Sequence, residues 1–156
     1  MNTEVLESPQ TYEQERGKPM PSENHGIVQT NLAIELAKHK EYRVISELSL
    51  VLNDRPLTPD LSIYPRRPVD FRHDKIRLTD PPLTVVEIWS PTQEPQEVMN
   101  KVEAYLQSGV KSCWVVSPPQ RTITIYTPDG GLKSFAEGQV KDPATGLTAD
   151  LEAVFS

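Results

Sequence analysis

The segment Leu83–Trp89, LTVVEIW, constrains this chain more than any other. A short, nearly unbroken apolar run after the breaker DPP and before the turn residues SPTQEP is the pattern of a strand buried on both faces, so it belongs at the centre of a sheet. Glu87 lies in its middle. An ionised carboxylate between Val86 and Ile88 costs several kcal/mol unless a cation or strong donors face it. Period two sends Glu87 to the face that holds Val85 and Trp89. Two readings stand side by side: a functional acid at the rim of an apolar surface, and a strand-end glutamate that reaches solvent or a lysine.

Around that strand the pattern alternates. From Gly26 to about Lys40 no proline occurs, and Val28, Leu32 and Leu36 form an i, i+4 row, which predicts a first helix. YRVISELSLVLN, with its β-branched and alternating apolar residues, and the later LSIY predict two or three consecutive strands, with RPLTPD as the turn between them. After LTVVEIW, Pro95 opens a second helix whose apolar residues Val98, Val102, Tyr105 and Leu106 are spaced i, i+4, i+7, i+8. Gly109 closes it, and the strands CWVVS and TITIY follow. A central strand joined by a helix to the next strand predicts an α/β fold, a mixed β-sheet flanked by helices. Trp89, Trp114 and Tyr105 read as core rather than base-stacking groups.

Composition narrows the function. The chain has 156 residues, which suits one domain over residues 11–156 after a loosely ordered stretch at residues 1–10. Its 15 prolines punctuate the chain without forming a low-complexity tract, and no repeat or Gly/Ser linker divides it. No apolar run approaches a membrane span, and the first residues lack a secretory pattern, so the expected location is cytoplasmic with no membrane partner. The single cysteine, Cys113, leaves no internal disulfide and no cysteine-rich zinc site. His25, His39 and His73 form no HExxH pair, and Ser62, Ser90 and Ser117 lack a G-x-S-x-G setting. Gly130-Gly131 reads as a hairpin turn, since no phosphate-loop lysine and serine follow it.

The net charge is −6, yet residues 66–77, RRPVDFRHDKIR, carry five Lys/Arg against two Asp and leave −9 for the remainder. Such a segment can contact phosphate or serve only as a solvated loop. Two further residues matter beside Glu87. Asp60 follows Pro59 and opens the strand LSIY, either capping a turn or pointing inward. An acid opening one strand and an acid inside the next can converge on a divalent ion, because paired strands lie about 4.8 Å apart. Lys101 lies three residues past Val98 and four before Tyr105, at the border of the helix's buried face, where it can reach over a strand end or pair with Glu97.

TPDLSIY, LTVVEIWSP, NKVEAYLQSGVKSCWVVSP and TITIY, in that order and spacing, resemble a restriction-endonuclease family within the PD-(D/E)XK nuclease superfamily. YEQERGKPMPSENHGIVQTNLAIELAKH and GLTADLEAVF extend the resemblance over about residues 12–155. It implies a restriction-endonuclease-like α/β fold and a metal-dependent endonuclease that hydrolyses DNA. Asp60 matches the PD acid and Glu87 the acid of the second half-motif. The usual lysine position two residues past Glu87 holds Trp89. Lys101 matches the family's lysine on the following helix. Glu47 matches an acid before the PD strand and stands as an additional ligand. His25 matches the histidine before the first helix, suited to orienting a phosphate or a water. Glu97 departs from the family's aspartate.

The implied cofactor is Mg²⁺ or Mn²⁺, held by Asp60, Glu87 and the Ile88 backbone carbonyl. Lys101 would stabilise the attacking hydroxide or the charge growing on phosphate. Arg66, Arg67, Arg72, Lys75 and Arg77 are the candidate phosphate contacts, and a homodimer would suit cleavage of two strands. The rival readings are a catalytically silent nucleic-acid or protein binding module with the same fold, and a hydrolase of small phosphoesters.

Overall fold

The computed structural model describes residues 20–156, and at its centre lies the strand that carries Glu87. In chain order the elements are α1 (Glu23–Leu36), β1 (Tyr42–Ser46), β2 (Ser49–Leu52), β3 (Arg55–Leu57), β4 (Leu61–Pro65), β5 (Arg77–Leu78) and β6 (Thr84–Ile88). They continue with α2 (Pro95–Gln107), β7 (Ser112–Ser117), β8 (Thr122–Tyr126), β9 (Leu132–Phe135), β10 (Gln139–Lys141), β11 (Thr148–Asp150) and α3 (Leu151–Val154). The expectation of loose order at residues 1–10 falls outside the described residues.

Six strands form one sheet in the order β1-β4-β6-β7-β8-β9. All five residues of β6 are buried, as a strand covered on both faces requires. It pairs antiparallel with β4 and parallel with β7, and α2 makes the crossover that a parallel pair needs. The sheet is therefore mixed.

Alternation along β6 and β7 divides the core. Val86, Ile88, Trp114 and Val116 pack with Val28, Leu32 and Leu36 of α1 and with Leu151 and Val154 of α3. Val85 and Cys113 pack on the other face with Val102 and Tyr105 of α2 and with Leu50, Leu52 and Leu57 of the small sheet β3-β2-β5. Each such aliphatic side chain contributes about 1.5–3 kcal/mol on burial.

Several boundaries differ from the sequence expectation, the first helix ending at Leu36 rather than about Lys40. The first helix spans Glu23–Leu36 because the Ser22 side chain accepts the His25 backbone N–H and starts it three residues before Gly26. Only the second half of RPLTPD, Thr58–Asp60, is a connection. Asn53 and Asp54, at φ 51° and 62°, turn the chain, and Arg55–Leu57 returns as β3 against β2. Asn and Asp tolerate that left-handed pair because their side chains bond locally. At the other helix end Gly109 adopts φ 103°, as expected.

A polar staple fixes the last strands. Asp142, 1% exposed, accepts from Ser112 Oγ and Trp114 Nε1 with one oxygen and from the Ala144 and Thr145 amides with the other. It ties the β10–β11 connection to β7.

Candidate active site

Because Leu61 pairs with Val86, Asp60 falls beside Glu87 where the β4–β6 ladder ends. The Asp60 amide donates to the Val86 carbonyl at 3.0 Å, and its Oδ2 accepts the Ile88 amide at 2.7 Å. The carboxylate thus takes the place of the next backbone carbonyl for β6. In an extended strand a residue's N–H and C=O project to the same side, so the Ile88 carbonyl also faces the β4 flank.

Asp60 is fully buried, and further groups hold it. His25 Nε2 lies 3.0 Å from Oδ1, while the Asp60 carbonyl accepts the Glu47 amide and Gln29 Nε2, each at 3.1 Å. Gln29 Nε2 also donates to Glu47 Oε2 at 3.1 Å. Glu47 adopts φ 52°, a left-handed conformation rare for such a side chain, at the bend between β1 and β2. This bend turns its amide onto Asp60. His25, Gln29 and Glu47 line one end of a cleft of about 610 Å³ that continues along α1 to Ala37.

Glu87, 4% exposed, lies on the α2 face, as period two predicts. Tyr105 donates its hydroxyl to Glu87 Oε2 at 2.7 Å. Burial pushes the Tyr105 phenol far above its ordinary value; the Glu87 carboxylate, then Cys113 and Asp60, push it further. One phenol thus feels both acids. The Cys113 thiol is likewise driven up, by burial first and the Glu87 charge second.

Lys101 is half-buried on α2, one helical turn before Tyr105, so the lysine expected at the site lies on the stripe that faces Glu87. Glu97 accepts the Glu94 amide at 3.2 Å in a capping box, which gives it a structural task at the helix start.

The sequence-derived residues therefore divide. Asp60, His25 and Glu47 come together, Ile88 borders Asp60, and Glu87 lies across the end of the ladder from Asp60 with its carboxylate on Tyr105. Arg66 and Arg67 do not: they follow the far end of β4, about 17 Å from Asp60 at the usual rise per residue. There Arg66 Nε donates to the Lys40 carbonyl, and Arg67 pairs with Asp80 at 3.0 Å. Arg72 and Lys75 are exposed on the loop, and Arg77 returns beside Ser49, two residues from Glu47.

Sequence reasoning missed two residues at this site. Tyr105 is core, as expected, yet its hydroxyl also holds Glu87; its place four residues after Lys101 was the available signal. Gln29 stands four residues after His25, and that polar i, i+4 pair on the flank of the Val28–Leu32 row was its signal.

A mixed sheet between helices, with an acid at the head of one strand and an acid near the end of the next, defines a restriction-endonuclease-like α/β protein. The chain belongs to the Uma2 family, described as "Putative restriction endonuclease", whose model matches residues 10–153. A solved structure, a "putative nuclease belonging to DUF820" from Anabaena variabilis ATCC 29413, superposes with a TM-score of 0.73 at 24% identity, covering 88% of this chain and 83% of that one. That likeness shows the fold. No curated protein matches the chain. The family supports a nuclease-like function. No helix among the described residues is long and apolar enough to cross a membrane.

Proposed function

We propose that this chain is a metal-dependent endonuclease that hydrolyses phosphodiester bonds in DNA at Asp60 and Glu87, beside the cleft that His25, Gln29 and Glu47 line. The observation that carries the reading is the fixing of Asp60 Oδ2 on the Ile88 amide, which brings the first acid alongside the strand of the second.

The donor set suits a hard cation. Among the described residues no group of three His, Cys, Asp or Glu side chains is arranged to hold a metal. Two carboxylates and a carbonyl are all oxygen donors, and Mg²⁺ or Mn²⁺ accepts such a set because water completes its shell. Asp60, Glu87 and the Ile88 carbonyl would hold it. When bound, the ion supplies polarisation of a phosphate oxygen and a more acidic water.

The chain's own groups do the rest. His25 orients Asp60 through Oδ1, and Tyr105 orients Glu87 through Oε2, so neither acid spends rotamer freedom when charge develops. Lys101 brings its ammonium from α2 to the attacking hydroxide or to the negative charge growing on the phosphate. Glu47, held by Gln29, stands as a further carboxylate at the cleft mouth. Cleavage of both strands calls for two such sites, which a homodimer supplies, and the cytoplasm is the setting we assign.

Incubating the full chain with supercoiled and linear DNA in Mg²⁺ or Mn²⁺, beside Asp60→Ala and Lys101→Ala, tests the reading. Metal-dependent cleavage is expected from the parent chain and from neither variant. No cleavage at any salt, or equal cleavage by all three proteins, contradicts it. Turnover of a small phosphodiester with duplex ignored would favour the small-substrate hydrolase, and duplex binding without turnover the silent module.

A further inference from the structure

The loop between β4 and β5 exposes what a folded chain normally hides. Phe71 is 91% exposed and Ile76 84%, and no large apolar side chain among the described residues is more open to solvent. Both lie within RRPVDFRHDKIR, the segment whose net charge of +3 opposes the rest of the chain.

The exposure of Phe71 is built. The Asp70 carbonyl accepts the His73 amide at 3.3 Å, Asp70 Oδ1 accepts the Arg72 amide at 3.0 Å, and Oδ2 lies 2.8 Å from His73 Nδ1. This is a turn with Phe71 and Arg72 at its two central positions, the aspartate holding the first. At the loop's start Arg67 stacks over the Tyr64 ring at 4.7 Å and pairs with Asp80. At its end Arg77 pairs with Ser49 in β2, two residues from Glu47. The tip is held from both sides.

Each exposed apolar group has cations for neighbours: Arg72 follows Phe71, and Lys75 and Arg77 flank Ile76. The complementary partner is a polyanion with apolar slots between its charges. Duplex DNA offers that pattern, because a side chain such as Phe or Ile can enter between base steps while Arg and Lys hold the phosphates on either side. An anionic bilayer offers charge and apolar depth too, but the return of Arg77 to the cleft's own bend favours the polymer that the cleft would cut.

We infer that Phe71 and Ile76 form an apolar wedge that enters the base stack of duplex DNA, with Arg72, Lys75 and Arg77 holding the adjacent phosphates. The inference rests on the proposed function for the identity of the polymer.

The full parent chain in EDTA, which withholds the divalent ion, is titrated into a short duplex containing 2-aminopurine, with anisotropy reporting binding and fluorescence reporting unstacking. Binding that weakens with salt and a rise in 2-aminopurine emission are expected. The exposed double variant Phe71→Ala/Ile76→Ala should lose the emission rise and bind about tenfold more weakly. Arg72→Ala/Lys75→Ala should lower the salt slope by about 2.

Binding with no emission change, unchanged binding by the apolar double variant, or no binding to duplex at all overturns the wedge. So does capture by phosphatidylserine vesicles in place of DNA, or a dimer that the apolar double variant dissolves in sedimentation. Plasmid cleavage separates the two ideas. Cleavage without the emission rise overturns the wedge alone, and the emission rise without cleavage overturns the hydrolytic reading alone.

Discussion

His25 Nε2 lies 3.0 Å from Asp60 Oδ1, and both side chains are buried where α1 crosses the head of β4. This contact requires a proton on Nε2, so the imidazole donates to the acid and its free reach toward a phosphate through that nitrogen is spent. The histidine acts through Asp60. His25→Ala is expected to lower Mn²⁺ affinity and DNA cleavage together by about 10–100-fold, the usual effect of removing a group that orients a ligand. Titration calorimetry beside a cleavage time course checks it. Full metal affinity in the variant would contradict the positioning role.

Tyr105 should show the same dependence from the opposite face. Tyr105→Phe keeps the ring in its fully buried slot but removes the donor to Glu87 Oε2. Leaving that acceptor short of a partner in the core is expected to cost about 1–3 kcal/mol in urea unfolding. Metal affinity should fall by about tenfold. A variant as stable as the parent, with unchanged Mn²⁺ affinity, contradicts the assignment.

Acid should weaken the join between α1 and the C-terminal elements. Glu35 accepts from Lys38 at 2.7 Å and from the Asp150 amide at 2.9 Å, and these contacts, Lys38 first, hold its carboxyl below the ordinary value of 4.5. A carboxyl lowered on folding stabilises the native state fully above its unfolded value, and the contribution is lost as pH falls through the folded one. Urea midpoints of the parent and Glu35→Gln at about pH 7 and about pH 3 check this. The pH-dependent loss should shrink in the variant; an identical loss contradicts the linkage.

Asp142 supports a different test, of stability without chemistry. Asp142→Ala removes the acceptor of two buried donors, Ser112 Oγ and Trp114 Nε1, and of the Ala144 and Thr145 amides at the partly exposed turn. A loss of about 3 kcal/mol or more is expected from denaturant unfolding. A change under about 0.5 kcal/mol would place this staple among ordinary surface contacts.

The features legible in the sequence are those set by local pattern. Leu83–Trp89 reads as a central strand because an apolar run admits few other fates, and α2 reads to its boundaries because Pro95, the apolar spacing and Gly109 agree. β3 was not legible. Arg55–Leu57 looks like turn sequence, and its strand state comes from pairing with β2 across Asn53-Asp54, a tertiary gain that propensity does not contain. The site divides in the same way. Asp60 and Glu87 are visible as an acid opening one strand and an acid inside another, whereas Tyr105 is apolar by periodicity and its hydroxyl acquires a role only when α2 docks on β6. The basic run is legible as charge, but only the register of β5 with β2 separates Arg77 beside the bend from Arg66 and Arg67 at the far end of β4.

The central claim is that Asp60 and Glu87 share one divalent cation. Anomalous difference density from a crystal soaked in Mn²⁺ tests it most directly. The account predicts one peak bounded by the carboxylates of Asp60 and Glu87 and the Ile88 carbonyl, lost in Asp60→Ala. A soaked crystal without that peak, or with manganese bound only elsewhere, would contradict it.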